Sequence, residues 1–412
     1  MTRSLALGAY LALAGLSGRR GEAEPPRPEG PLLWVHGGGP QHLTAVATLA
    51  DRLLPEGVST LLTLPRRFEL PPAPGRLVLR PAPFESGVAV RAFLEHWAPD
   101  VLLWVGGGLR PALLARTQAP KFLVEGAPEP GLLARGAGWP GLARAVVPLF
   151  DRALVRGDAG AERLSRAGLP EDRLEIAGPL DPPAPVLPCN ERERRDLSQT
   201  IGSRPVWLAA DLPMAELPAI LAAHRVATRS THRLLLILAP RIPEEAPPMA
   251  RALGEAGLRV ALRAEGDEPT ESTQVYLADG TSEMGLWLRL APVAYLGGTL
   301  PGGPGGRHPF EAAALGLALL HGPVTAPHGD AWARLDTAGA ARVVVDAAEL
   351  GRGVEALLAP DRAAVMAQAG WDVATQGAEV MNRVMDLVLE RIHPADPMRD
   401  AGGAAFGTPV EA

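Results

Sequence analysis

A glycine-rich segment late in the chain combines the residue types that a phosphorylated ligand needs. An apolar stretch at 293–296 reads as a buried strand, and a helix is predicted to begin near Pro309. Between them lie Gly297, Gly298, Thr299, Gly305 and Gly306. Glycines let a ligand approach the backbone, and a helix N-terminus offers unpaired N–H donors to an anion. With Glu311 in the first turn to accept hydrogen bonds from a ribose diol, the pattern predicts a nucleotide or sugar-nucleotide site.

Two further glycine loops, at 37–39 and 106–108, also follow apolar strands. None of the three loops matches the Gly-x-Gly-x-x-Gly dinucleotide fingerprint or the Gly-Lys-Ser/Thr phosphate loop. For each loop an alternative stays open, because a strand-to-helix turn often needs glycine without any ligand. Glu311 likewise has an alternative role, since a carboxylate in a first turn stabilises the helix dipole.

Composition limits the other functions that the chain can have. Net charge is −6 and the arginines are interspersed with acids, so we expect no nucleic-acid partner. Cys189 is the single cysteine, which leaves no disulfide framework and no cysteine metal site. No histidine and carboxylate cluster has metal-site spacing, and we therefore expect neither a metal nor a cofactor.

The first 21 residues form an apolar segment that is too short to span a membrane comfortably. Its apolar run at 5–16 is followed by Arg19 and Arg20, whereas a signal peptide carries its positive charges in front. An interfacial anchor with arginines at the lipid headgroups fits best. A signal peptide and a plain packed helix remain as alternatives.

Apolar strand patterns alternate with helical patterns from residue 31 onward, which indicates parallel sheets covered by helices. The proline-dense segment 181–190 is the predicted linker. It divides an N-terminal domain at 22–180 from a C-terminal domain at 191–394, with a loose tail at 395–412. We therefore predict an α/β chain with two Rossmann-like domains facing each other across a cleft, with the glycine loops at the carboxyl ends of their strands.

Several motifs in the C-terminal half are similar to one known family. They are Arg204-Pro205-Val206-Trp207-Leu208-Ala209, the segment 235–244, Ser282-Glu283-Met284, Gly297-Gly298-Thr299, the segment 305–311, and Gly322-Pro323. In order and spacing they resemble the 3-deoxy-D-manno-octulosonic acid (Kdo) transferases. The resemblance implies the GT-B glycosyltransferase fold, with CMP-Kdo as donor and a lipid A precursor as acceptor.

The resemblance also implies which residues bind the nucleotide. These are Arg241, Ser282, Glu283, Met284, Gly297, Gly298, Thr299, Gly305, Gly306, His308 and Glu311. Among them, Arg241 matches an arginine near the CMP, Gly297 to Thr299 a phosphate-side turn, and Glu311 the acid that binds the ribose. His308 stands where the family usually has asparagine, and its ring can still donate a hydrogen bond. Arg241 as an ordinary surface arginine is the alternative.

The N-terminal half departs from the family pattern at its acids. The family motif after the first strand ends in a glutamate that acts as general base, and the ungapped match to it is His42. A second acidic motif falls at 106–112, where this chain has no acid. Histidine suits base chemistry near neutral pH, so His42 is the predicted catalytic residue. The alternative for His42 is a surface residue or a residue in the N-cap region of a helix.

Together these patterns predict a glycosyltransferase of lipopolysaccharide biosynthesis in a Gram-negative cell. Its expected partners are a CMP-sugar donor, a lipid-linked acceptor and the inner-membrane surface, with the chain at the cytoplasmic face. Two alternatives stay open. One is a catalytically inactive paralogue with a binding or regulatory role, which the missing acids at 106–108 favour. The other is a GT-B enzyme with a changed donor or acceptor.

Overall fold

The computed structural model describes residues 5–16, 24–70, 72–73, 75–125, 141–182, 184, 187–280 and 282–393. The predicted tail at 395–412 and the arginines at 19–20 lie outside these ranges. The chain divides into two compact units. The first unit is Met1–Pro182 together with Gln376–Ala412, and the second is Pro183–Thr375.

The first unit is a parallel sheet of seven strands covered by helices, in the order β3-β2-β1-β4-β5-β6-β7. Its strands are β1 (Leu32–Gly37), β2 (Ser59–Leu64), β3 (Val78–Pro81), β4 (Val101–Val105), β5 (Lys121–Val124), β6 (Arg152–Val155) and β7 (Leu174–Ile176). Its helices are α1 (Leu5–Leu16), α2 (Leu43–Leu53), α3 (Gly87–Trp97), α4 (Pro111–Arg116), α5 (Leu142–Val146) and α6 (Asp158–Arg166).

The second unit repeats this architecture with the strand order β10-β11-β9-β8-β12-β13-β14. Its strands are β8 (Val206–Leu212), β9 (Leu235–Pro240), β10 (Val260–Leu262), β11 (Val275–Leu277), β12 (Val293–Leu296), β13 (Ala318–His321) and β14 (Ala341–Val343). Its helices are α7 (Glu191–Ile201), α8 (Leu217–Ala227), α9 (Ala246–Glu255), α10 (Met284–Leu290), α11 (Phe310–Ala313), α12 (Gly329–Thr337) and α13 (Ala347–Leu357). A last helix, α14 (Pro360–Ile392), divides its residues between the units.

Both sheets are buried on two faces, which explains why their strands read as continuous apolar runs rather than alternating ones. Every residue of β1, β4, β8 and β9 is buried. The predicted α/β alternation is therefore confirmed in both halves of the chain.

Each sheet has a point near its centre where the strand order reverses. In the first unit it lies between β1 and β4, and in the second between β8 and β12. Ligands of open parallel sheets bind outside the carboxyl ends of the strands at such a point. The loops after β1, β4, β8 and β12 are thus the places to examine for a site.

Two sequence predictions need correction. The helix expected at 309–315 is the single turn α11, because a turn at Ala314–Gly316 follows it at once and Gly316 adopts a φ of +77°. The C-terminal domain does not extend to 394. Residues from Gln376 group with the first unit, since Val380, Met381 and Val384 pack in its core. The helices α5, α6 and α7 were not predicted.

Helix α1 packs against the first unit through one face. Leu7, Tyr10, Leu11 and Ala14 contact the core cluster that contains α3 and α4, whereas Leu5 is 91% exposed. Within the described ranges, no helix is both long and apolar enough to cross a membrane. The packed arrangement agrees with one of the alternatives left open for this segment, while its exposed face is still apolar.

Candidate functional site

The glycine loop of the second unit folds back on itself at the reversal point of the sheet. Gly297 continues the pairing of β12 by donating its N–H to the carbonyl of Ala210 (2.8 Å), and Gly305 donates to the carbonyl of Gly298 (2.8 Å). Gly305 has a φ of +87°, and a Cβ there would lie 1.8 Å from the carbonyl oxygen of Ala326. The close approach of two backbone segments therefore requires glycine at 305.

The buried carboxylate of Glu216 holds this loop through hydrogen bonds. Glu216 Oε2 accepts hydrogen bonds from the Tyr295 hydroxyl (2.8 Å) and the Gly298 N–H (3.0 Å), and Oε1 accepts from the Leu300 N–H (3.0 Å). Burial, with Glu216 alongside, raises the pKa of Tyr295, so its hydroxyl remains a donor. The N–H groups of Gly298 and Leu300 therefore point into the protein interior, and their hydrogen bonds to Glu216 hold the loop in one conformation.

Thr299 is also held from within. Its hydroxyl donates to the Leu296 carbonyl (2.7 Å) and accepts from the Gly322 N–H (2.7 Å), and the side chain is buried. Gly306 lies against it, because a Cβ at 306 would come within 2.9 Å of Thr299 Cγ2. The Gly-Gly-Thr motif and Gly322 thus fix the ends of two neighbouring strands to each other.

Arg241 follows β9 and is held in one orientation. Its Nε and Nη2 donate to Asp211 Oδ2 (3.0 and 2.8 Å), and Nη2 also donates to the carbonyl of Gly305. Asp211 adopts a φ of +54° at an irregularity of β8, a conformation that non-glycine residues seldom keep without a reason. Within the described ranges, Arg241 Nη1 has no hydrogen-bond partner. The arginine is therefore not an ordinary surface residue.

A small depression, too narrow to hold a water molecule, lies beside the same reversal point. It is lined by Ala210, Met284, Leu288, Leu296, Arg307, His308, Glu311 and Ala312. Arg307 Nε donates to Glu311 Oε2 (2.8 Å), while His308 Nδ1 accepts from the Phe310 N–H (3.2 Å), which places the proton of the neutral ring on Nε2. The structure thus brings three of the predicted residues, Met284, His308 and Glu311, around one depression.

Ser282 and Glu283 do not line this depression. Ser282 is exposed, and the Glu283 carboxylate accepts from Arg263 at Nε (3.1 Å) and Nη2 (2.8 Å). Arg263 also pairs with Glu193, which ties α7 to the start of α10. Glu283 is thus committed to a salt-bridge network, and its predicted contact with a nucleotide stays a prediction.

In the first unit, His42 lies at the end of the turn that connects β1 to α2 and is buried. His42 is therefore not a surface residue, but it is the N-cap residue of α2, as the other part of that alternative expected. Its Nε2 lies 3.2 Å from Gln41 Nε2, and its Nδ1 lies 3.8 Å from Glu125 Oε2. Burial lowers the pKa of His42, the Glu125 carboxylate raises it in part, and the Arg156 guanidinium lowers it again.

Glu125 is a residue that the sequence patterns missed. It follows β5 with a φ of +57° and is buried. Its Oε1 accepts from the Leu180 N–H (2.8 Å) and its Oε2 from Arg156 Nη2 (2.9 Å). The available signal was a single acid placed directly after an apolar strand. His36, by contrast, packs on Trp104 with Nδ1 2.9 Å from the Thr63 hydroxyl, beneath the loops.

Comparison with known proteins extends over both units. Residues 14–181 match the family described as 3-deoxy-D-manno-octulosonic-acid transferase (kdotransferase). A 3-deoxy-D-manno-octulosonic acid transferase of Bordetella pertussis is 31% identical over 383 residues, which is 88% of each chain. This chain belongs to the Kdo transferase family. With its two parallel seven-stranded units, family membership confirms the predicted α/β fold of GT-B type.

Other Kdo transferase relatives match over shorter stretches. The 3-deoxy-D-manno-octulosonic acid transferase of Haemophilus influenzae is 30% identical over 246 residues, 58% of this chain and 57% of the relative. Among solved structures, the C-terminal CMP-Kdo binding domain of WaaA from Acinetobacter baumannii is 26% identical. It covers 47% of this chain and 97% of that domain, with a TM-score of 0.41.

Proposed function

We propose that this Kdo transferase family member transfers Kdo from CMP-Kdo to a lipid-linked acceptor, a lipid A precursor, at the cytoplasmic face of the inner membrane. The observation that carries the proposal is the similarity to the Bordetella pertussis transferase, which extends through both units at 31% identity. A similarity confined to one unit would have supported nucleotide binding alone.

The second unit is the proposed donor side. A CMP phosphate at the reversal point would meet Arg241, whose guanidinium Asp211 and Gly305 already orient. The ribose would meet Glu311, because Arg307 occupies only its Oε2 and leaves Oε1 without a hydrogen-bond partner in the described part of the chain. A guanidinium and a carboxylate fixed in advance suit an anionic nucleotide, since little side-chain entropy is lost on binding.

The first unit is the proposed acceptor side, with His42 as the general base. An imidazole whose pKa burial has lowered is neutral at pH 7 and can take a proton from an acceptor hydroxyl. The exposed apolar face of α1, with Leu5 at 91% and Leu13 at 53% exposure, would lie in the membrane interface and bring the chain to its lipid acceptor.

Isothermal titration with CMP tests the donor side. We expect saturable binding to the wild-type chain and at least tenfold weaker binding to Glu311→Gln, with GMP as the control nucleotide. The exposed Glu162→Gln is the matched control variant, because the partner of Glu162 within the described residues is Arg166, one turn away on α6. Absence of CMP binding at millimolar nucleotide would refute the donor assignment.

Transfer itself is tested by incubating the purified chain with CMP-Kdo and a lipid A precursor. CMP release and a mass increase of the lipid by one or more Kdo units are the expected results. Restored growth of a Kdo transferase-deficient strain by the wild-type chain, and loss of that growth with His42→Ala, would support the enzyme in the cell.

A non-catalytic paralogue is the second candidate, and one observation favours it. Gly106 has a φ of +59°, and a Cβ there would lie 3.1 Å from His42 Nε2, so an acid at that position would be strained. A chain that binds CMP but neither releases it from CMP-Kdo nor restores growth would be of this kind.

A further inference from the structure

The carboxylate of Glu125 and the imidazole of His42 lie side by side at the carboxyl end of the first sheet. They come from different segments, the loop after β5 and the turn after β1, and both side chains are buried. The 3.8 Å between His42 Nδ1 and Glu125 Oε2 is longer than a hydrogen bond. Such contacts in sites without substrate are often long and tighten when the ligand is present.

The hydrogen-bond partners of the ring indicate which nitrogen carries the proton. Gln41 Nε2 can only donate, so at 3.2 Å from His42 Nε2 it requires that Nε2 accept. The proton of the neutral ring is then on Nδ1, which faces Glu125. This is the tautomer that a general base needs, because the lone pair of Nε2 faces away from the carboxylate.

Glycine at 106 keeps a side chain away from Nε2, whose present hydrogen-bond partner is the Gln41 amide, so an acceptor hydroxyl would take the place of that amide. A Cβ at position 106 would lie 3.1 Å from His42 Nε2, and Gly106 also has a φ of +59°. A larger side chain at 106 would stand where an acceptor hydroxyl has to approach. The absence of an acid at 106 is thus a condition for a histidine base at 42.

We propose that Glu125 is the positioning residue for His42, and that the pair together replaces the glutamate that serves other Kdo transferases as base. The inference rests on the proposed function. Glu125 holds Nδ1–H and stabilises the imidazolium that forms when Nε2 takes the proton, as a carboxylate does behind a catalytic histidine. Arg156 and the Leu180 N–H fix the carboxylate on its other sides.

The reaction balances without any further reactant. The acceptor hydroxyl gives its proton to His42 Nε2 as its oxygen bonds to the anomeric carbon of Kdo. The bond from that carbon to the phosphate oxygen breaks, and its electron pair leaves with CMP. The imidazolium then releases its proton to water.

Charged groups around His42 allow a test in which two substitutions shift the pKa of His42 in opposite directions. Glu125 and Asp181 raise the pKa of His42 and Arg156 lowers it, against the larger lowering by burial. In Glu125→Gln we expect the pKa of His42 to fall by about one unit, and in Arg156→Gln we expect it to rise. The His42 ring signals, assigned by their loss in His42→Gln, report this pKa in a nuclear magnetic resonance titration without any turnover.

The decisive experiment joins this titration to the pH profile of kcat/KM in the full chain. The acidic limb of the profile should follow the pKa of His42, and Glu125→Gln should lower kcat by about 10- to 100-fold with unchanged affinity for CMP. Arg156→Gln is the matched variant, because it breaks the same ion pair from the other side. It should shift the limb to higher pH and lose far less activity.

Each outcome bears on one claim. Equal losses in the two variants, or shifts of the pKa in the same direction, would show that Glu125 acts only structurally and would overturn the inference. Full activity in Glu125→Gln would overturn it as well, while leaving the proposed function intact. A wild-type chain that binds CMP and transfers no sugar would overturn the proposed function and with it the catalytic role of the pair.

Discussion

Both units hold a carboxylate at the carboxyl end of their sheet with an arginine that follows the neighbouring strand, but they use the pair differently. In the second unit Asp211 holds Arg241, and in the first Glu125 holds Arg156. Both acids have a left-handed backbone, with φ of +54° and +57°. The same local arrangement therefore arises in both parallel sheets, at different strands of each.

The difference lies in which partner of the pair turns toward the site. Arg241 is 26% exposed and reaches into the glycine loop, so the acid serves to fix a cation. Arg156 is 57% exposed and lies outside, whereas Glu125 faces His42, so here the arginine serves to fix an anion. One arrangement suits a phosphate and the other suits an imidazole that must become positive.

The largest expected effect concerns the rigidity of the second unit's loop. Gly305→Ala should lower the free energy of unfolding by about 4 kcal/mol, because the Cβ would overlap the Ala326 carbonyl and the φ is left-handed. Gly302→Ala is the control, since Gly302 has a φ of +86° with open space around it, and should lose only about 1 kcal/mol. Urea unfolding measures both, and equal losses would show that the close approach is not rigid.

A second test removes hydrogen bonds that Glu216 accepts from that loop. Glu216→Gln should cost about 3 kcal/mol, because an amide nitrogen cannot accept one of the hydrogen bonds that the carboxylate accepts. Tyr295→Phe, which removes one donor to Glu216 and a long contact that accepts from the Thr299 hydroxyl, should cost about 1 kcal/mol. If Glu216→Gln unfolded at the same urea concentration as the wild type, the hydrogen bonds of Glu216 would not stabilise the loop, and its conformation would depend on its glycines.

A third test measures how much of the loss of folding stability at low pH comes from a buried histidine of the second unit. Burial lowers the pKa of His224 to about 4, and its Nε2 has no partner among the described residues. The unfolded chain therefore takes up the proton first, and stability is present above pH 6.5 and lost as the pH falls toward 4. Between pH 7.5 and 5 the loss should be about 2 kcal/mol.

His224→Gln should remove this part of the pH dependence, as measured by urea unfolding at the two pH values. In the first unit His36→Gln should act in the same direction, because burial also lowers the pKa of His36. An unchanged pH dependence in His224→Gln would show that the burial of His224 does not cause the acid sensitivity.

The smallest expected effect is on CMP affinity, which should depend on Asp211 and not on Glu125. Asp211→Asn should weaken CMP binding about tenfold, about 1.4 kcal/mol, because Arg241 loses its fixed orientation. Glu125→Gln should leave the CMP dissociation constant within about twofold. Calorimetric titration of both variants decides, and a weaker affinity in Glu125→Gln would contradict the division of roles between the units.

Much of this framework was predictable because it is encoded locally. The strands at 59–64, 121–124 and 293–296 are short apolar runs between turn residues, and their bounds follow from that pattern. Helix α7 was missed because its sequence is strongly polar and only Leu197 and Ile201 are buried, which leaves little apolar periodicity.

The pairing of Glu125 with His42 could not be predicted, because the two residues are far apart in sequence and belong to no joint motif. Nothing local distinguishes Glu125 from other acids that follow strands. The same holds for Asp211, whose role depends on an irregularity of β8 and on Arg241 of the next strand. The Arg307–Glu311 contact, by contrast, is local, because only three residues separate the two side chains in the sequence.

The division of α14 between the units has a consequence for biosynthesis. Val380, Met381 and Val388 complete the core of the first unit, but the ribosome makes them only after residues 183–375. At cellular synthesis rates this interval is roughly 10 to 40 s. During that time the apolar surface that these residues cover stays open on the nascent chain, so the first unit to be translated is the last that can finish folding.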